Sequence, residues 1–221
     1  MIAKRATRVF PTSAQAYLAE GLIEGNLAYS TQAIEAFSRA TQLDPDDPDA
    51  SLGLAEAQFS AGQREQALET FEQGIKRFPQ DAMHYEEYGI RLLQYAGAGH
   101  PEVETHAISL LQTALAMDSS LAEPHYQLGN LALKQGHPET ALPQLEAAAR
   151  LSPDADKVHY ALARTYRRLG RSGDASREMA LYQKLKAEAE NPVAGEQQIY
   201  GMLKSDTDPP PLAHPAEANR E

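Results

Sequence analysis

SLGLAEAQFSAGQREQALETFEQGIKRFP, residues Ser51–Pro79, holds two helical stripes separated by one breaker. Leu52, Leu54, Ala55 and Phe59 recur at helical spacing on one face. Ala61-Gly62 interrupts them, and Ala67, Leu68, Phe71 and Ile75 form the second stripe. Phe78-Pro79 then ends that helix, because proline disfavours helical backbone in the residue before it. The stretch is one copy of a pattern. Ala33, Phe37 and Pro45 stand 34 residues before Ala67, Phe71 and Pro79, and Pro11 stands 34 before Pro45. Further on, His125 and His159 differ by 34 again. A fixed period of this length marks a solenoid, whose units bury their apolar faces only against their neighbours.

Aligned on the period, the units are 14–47, 48–81, 82–121, 122–155 and 156–189, each read as two helices and a short turn. Gly62, Gly136 and Gly170 close first helices, where a left-handed residue is needed. Asp44-Pro45, Phe78-Pro79 and Ser152-Pro153 close second helices. Small residues form two columns: Gly21, Ala55, Gly89, Gly129 and Ala163, then Ala33, Ala67, Ala107, Ala141 and Ala175. Phe37, Phe71, Leu111, Leu145 and Met179 form a large apolar column that fills the space between helices.

These columns, with Leu128-Gly129, Tyr166, the Ala33/Phe37 and Ala67/Phe71 pairs and the closing prolines, resemble the tetratricopeptide repeat. The resemblance covers residues 14–189. It implies an all-α fold, a right-handed superhelical solenoid of antiparallel helix pairs. The chain departs from the family pattern in having no tryptophan, in Glu20 and Glu24 at columns that are usually apolar, and in Ser119 where a closing proline is usual.

The third unit is six residues longer than the others, and the excess falls at Tyr95–Glu104, between its helices. A surface insertion is expected there. Residues 1–13 read as the remnant second helix of a partial repeat, since Phe10-Pro11 matches Phe78-Pro79. On that reading the chain is the C-terminal part of a longer array, or its first helix caps the stack unaided. After residue 190, a short capping helix is expected at Glu196–Lys204 within 190–204, and 205–221, with Pro209-Pro210-Pro211, reads as a disordered tail.

The net charge is -11 at pH 7, which argues against general nucleic-acid binding. The charge is uneven: residues 14–155 hold 21 acidic and 7 basic side chains, whereas 156–189 hold 4 and 8. No run of 18 apolar residues is present, so no membrane span is expected, and the basic start Met1–Arg8 lacks the apolar run of a leader. The expectation is a soluble protein, cytoplasmic unless a leader precedes Met1. There is no cysteine, hence no disulfide or thiolate metal site.

No phosphate-binding loop, serine-nucleophile elbow, zinc-protease motif or dinucleotide glycine motif occurs, so no enzyme and no cofactor is expected. His125 and His159 read as packing residues, and Glu86-Glu87 as solvated charges. The family resemblance implies that first helices line a concave face. Ladders there run Leu18, Leu52, Glu86, Tyr126, Tyr160; then Leu22, Glu56, Ile90, Asn130, Arg164; then Gly25, Phe59, Leu93, Leu133, Arg167, with Arg168 beside the last. Tyr126, Asn130, Tyr160, Arg164, Arg167 and Arg168 are the expected peptide-binding residues. An asparagine amide can hold a backbone on both sides, and arginines offer forked donors to carboxylates. The lysine–asparagine clamp used by chaperone-binding members is replaced by Leu18 and Leu22. The expected function is a protein-interaction scaffold for an acidic peptide segment, as a monomer or with weak self-association. The alternatives are a regulatory arm of a larger enzyme and a self-assembling module that uses Leu18, Leu22, Leu52 and Phe59.

Overall fold

The computed structural model describes residues 2–96 and 100–190, with side chains from residue 6. The predicted helix at Glu196–Lys204, the tail 205–221 and the centre of the 95–104 loop lie outside the described residues. Eleven helices and no strand occur among those described: α1 Ile2–Val9, α2 Ala14–Asn26, α3 Ser30–Leu43, α4 Pro48–Ser60, α5 Arg64–Arg77, α6 Ala82–Ala96, α7 Pro101–Met117, α8 Ala122–Lys134, α9 Pro138–Leu151, α10 Asp156–Arg168 and α11 Ser172–Glu190. They form two compact units, α1–α9 ending at Pro153 and α10–α11 beginning at Asp154.

In the first unit α2 pairs with α3, α4 with α5, α6 with α7, and α8 with α9. Each second helix of this unit from α3 to α7 also packs on the next first helix, and α1 lies beside α2. The reason is visible at the glycine column. A Cβ on Gly21 would lie 2.7 Å from Phe37, one on Gly89 2.9 Å from Leu111, and one on Gly129 2.7 Å from Leu145. These are distances no Cβ tolerates, so Phe37, Leu111 and Leu145 each occupy the place of a missing side chain, while Ala55 and Ala163 hold the same column in the other two pairs. Phe37 is clasped twice, since a Cβ on Gly53 of α4 would come within 2.5 Å of it. Between α4 and α7 the core gathers Ala55, Ala67, Phe71, Tyr88, Leu92, Ala107 and Leu110, with Phe71 stacked on Tyr88 at 5.8 Å. In the second unit α10 pairs with α11 and buries Val158, His159, Ala161, Leu162, Ala163, Thr165 and Tyr166.

Helix ends follow the turn chemistry. The backbone N–H groups of Tyr29, Gln63, His137 and Arg171 reach back to the carbonyls of Glu24, Gln58, Ala132 and Tyr166, each at 2.9 Å. This six-residue closure requires a left-handed residue just before the donor. Gly62, Gly136 and Gly170 supply it with φ of +80, +86 and +72. In the first pair the same place is held by Ala28, at φ +59.

Glu86 and Glu87 overturn the expectation of solvated charges. Both lie in the middle of α6, which α5, α7 and α8 enclose, and Glu86 is only 6% exposed. Burial, reinforced by Glu123 and Asp118, pushes the Glu86 carboxyl up to about 7. Burial, then the charge of Glu56 and a hydrogen bond with it, pushes Glu87 up to about 8 against the pull of Arg91. Leu133 and Ile90, expected on an open face, are likewise core residues. His159 is buried as expected, its Nδ1 2.7 Å from Glu178 Oε2.

Two outcomes follow from this packing. Ala28→Gly relieves about 1–2 kcal/mol of left-handed strain and returns about 0.5–1 kcal/mol to the unfolded chain. The net expectation is a gain of up to about 1 kcal/mol in chemical denaturation, with an unchanged m-value. The second concerns pH. Glu86 and Glu87 keep protons in the folded chain that the unfolded chain loses near the ordinary value of 4.5, so stability falls as pH rises from there toward 8. The Tm of the natural chain should drop by several degrees between pH 5 and 9, and the double substitution Glu86→Gln, Glu87→Gln should flatten that decline.

Candidate functional site

The sequence places candidate residues on two helices, one in each compact unit. On α8, Tyr126 and Asn130 are four residues apart, hence on one face, and both are half-buried. Leu133, one turn further, is sealed in the core, whereas Lys134, four residues after Asn130 on the same face, is exposed.

In the second unit α10 carries Tyr160, Arg164, Arg167 and Arg168. Tyr160 is 42% exposed, large for a ring at a packing position. The Arg164 guanidinium lies 5.8 Å from the centre of the Tyr160 ring, and Tyr182 of α11 meets that ring at 5.1 Å. Lys186 then lies 5.8 Å from the Tyr182 ring. The result is a strip of cations and aromatic faces in which a ring quadrupole attracts each cation, with Lys186 Nζ also 4.0 Å from Glu190 Oε1. Arg167 borders a shallow depression of about 400 Å³ with Ala163, Ala175, Ser176, Met179 and Gln183. Arg171 has a different role, covering the buried Tyr166 at 4.4 Å and bonding Asp174 at 2.6 Å.

Two features of the first unit went unread in the sequence. One is a cleft of about 210 Å³ between α2, α3 and α4, lined by Gly21, Leu22, Gly25, Phe37, Gly53 and Glu56 among others. The other is a charge cluster beside it. Arg91 Nη2 lies 3.0 Å from Glu56 Oε1 and 2.9 Å from Glu87 Oε2, the second contact without hydrogen-bond alignment. The same guanidinium stands 5.6 Å from the centre of the Phe59 ring. The helical spacing of Glu87 and Arg91 was a usable signal for part of this cluster.

Among the described residues no group of three or more histidine, aspartate or glutamate side chains is placed to hold a metal ion. Nor is any helix there long and apolar enough to cross a membrane.

Tetratricopeptide-repeat family models match residues 14–47, 31–86 and 126–191. No curated protein sequence matches the chain. Among solved structures, a thermophilic tetratricopeptide repeat protein of Thermus thermophilus is 25% identical, with a TM-score of 0.64 over 85% of this chain and 96% of that one. The MamA protein is 18% identical, with a TM-score of 0.60 over 80% of this chain and 94% of its own. The APC/C hetero-tetramer Cut9–Hcn1 contains a chain that is 20% identical, with a TM-score of 0.71 over 85% of this chain and 36% of that one. At such identities the last two speak for the fold alone. Paired helices, the glycine column under the large apolar residues and the matched repeats agree: this chain is a tetratricopeptide repeat protein.

Proposed function

We propose that the chain is a non-catalytic scaffold whose first-helix faces bind peptide segments of another protein, and that α10 takes an acidic one. The tetratricopeptide repeat is an interaction fold in general. The observation that carries the finer reading is the strip Arg164, Tyr160, Tyr182, Lys186. Rings with cations over their faces, Tyr160 exposed and Tyr182 half-buried, offer a flat apolar surface and donors together, which suits carboxylate-bearing segments. The charge balance supports the same polarity, since residues 156–189 carry twice as many basic as acidic side chains in an otherwise acidic chain. Asn130 with Tyr126 on α8 offers an amide beside a ring, a pairing suited to extended backbone.

Self-association has one observation in its favour: Leu22, Ile23, Leu27 and Tyr29, at the end of α2, are all exposed. Light scattering against concentration separates that reading from a monomeric adaptor.

The test is binding of a fluorescently labelled glutamate- and tyrosine-rich decapeptide, read by anisotropy. Arg164→Ala should cost about 1–3 kcal/mol of affinity while Tm stays nearly unchanged. Peptide affinity indifferent to that substitution removes the reading.

A further inference from the structure

The ladder Gly25, Phe59, Leu93, Leu133 carries a large side chain at every rung of the first unit except the first. The vacancy is real in space, because a Cβ placed on Gly25 would meet nothing within 4 Å. Around it lies the cleft of about 210 Å³, whose floor is Phe37 and whose walls include Leu22 and Glu56. Leu22 is 52% exposed, so the apolar lining is open to a visitor. Pockets for whole small molecules run to about 300–1,000 Å³. This one is smaller, and fits a single large side chain.

The wall has a sign. Glu56 and Glu87 face one another across α4 and α6, and Arg91 is the guanidinium placed between them. Two carboxyl groups on one guanidinium leave room for one more positive charge. Glu86 stands next along α6, facing Glu123 and Asp118, and adds to the negative field. Nothing acidic in a ligand would be welcome here.

We propose that this cleft seats a bulky apolar side chain of a partner segment whose adjoining lysine or arginine pairs with Glu56. The apolar group supplies the missing rung over Gly25, and the cation supplies the charge that Arg91 alone does not. This rests on the reading of the chain as a peptide-binding scaffold, but it names a different helix and a partner of opposite charge from the acidic segment on α10. It also carries a proton linkage. Near neutral pH Glu87, pushed up to about 8 by burial, holds a proton, and an incoming ammonium or guanidinium displaces it, so affinity rises with pH up to about 8 and then levels.

The experiment uses the full chain and the capped hexapeptide Ac-Ser-Gly-Phe-Lys-Gly-Ser-amide, followed by NMR titration of the protein's amide resonances. Control peptides replace the phenylalanine by glycine or the lysine by glutamine. Gly25→Leu fills the cleft from within, and since its Cβ meets nothing within 4 Å and leucine favours helix over glycine it should fold at least as well as the natural chain. The expected result is movement of the Gly25 and Gly53 resonances, about tenfold weaker binding for Gly25→Leu and for each control peptide, and affinity that climbs from pH 6 to 8 in the natural chain but not in Glu87→Gln. Equal affinity in Gly25→Leu, or equal binding of the glutamine peptide, overturns the proposal. So does self-association that Gly25→Leu abolishes, which makes a second copy the occupant. The glutamate-rich peptide run in parallel keeps two failures apart. If it binds while the lysine peptide does not, only this cleft is refuted; if neither binds, the scaffold reading falls with it.

Discussion

The structure depends on how closely two helices of a pair can approach. That distance is set where Gly21, Gly89 and Gly129 lie under Phe37, Leu111 and Leu145, with separations that leave no room for even one carbon. A methyl group there forces either a rotamer change or a shift of the whole helix, and close-packed interiors accommodate neither cheaply. In the α4–α5 and α10–α11 pairs the same column is held by Ala55 and Ala163. Once α2 and α3 are locked, Phe37 projects far enough to be gripped by Gly53 of the next pair, so the same side chain that closes one unit positions its neighbour.

Local and tertiary information divide cleanly along that line. The period, the paired stripes, the turn glycines and the closing prolines are local chemistry, and Gly62, Gly136 and Gly170 adopt the left-handed backbone their spacing implies. The small and large columns were also readable, because each recurs in register. What escaped was whatever depends on the neighbouring pair. Glu86-Glu87 reads as an ordinary charged face until α8 packs against α6. Leu133 and Ile90 fall on the open face that the family resemblance implies, yet both are buried. The cleft at Gly25 escaped for another reason: periodicity registers what returns, and a vacancy is something that fails to return.

Exposed chemistry in this chain is partitioned by charge. Acidic groups dominate the first unit and reach the cleft between α2, α3 and α4 through Glu56, while cations and rings share α10 and α11. Repeat folds permit this because exposed positions can vary while the glycine contacts under Phe37, Leu111 and Leu145 stay as they are.

One asymmetry between the paired helices has its own consequence. The second helices α3, α5, α7 and α9 each keep at least three residues away from water, whereas α11 keeps none. With little apolar area sequestered, opening of α11 is the least costly excursion available to the second unit, and its amides exchange with solvent ahead of those in α10. Such an excursion uncovers the Tyr160 ring that Tyr182 touches at rest. Local melting and surface presentation are thereby tied together at this one helix.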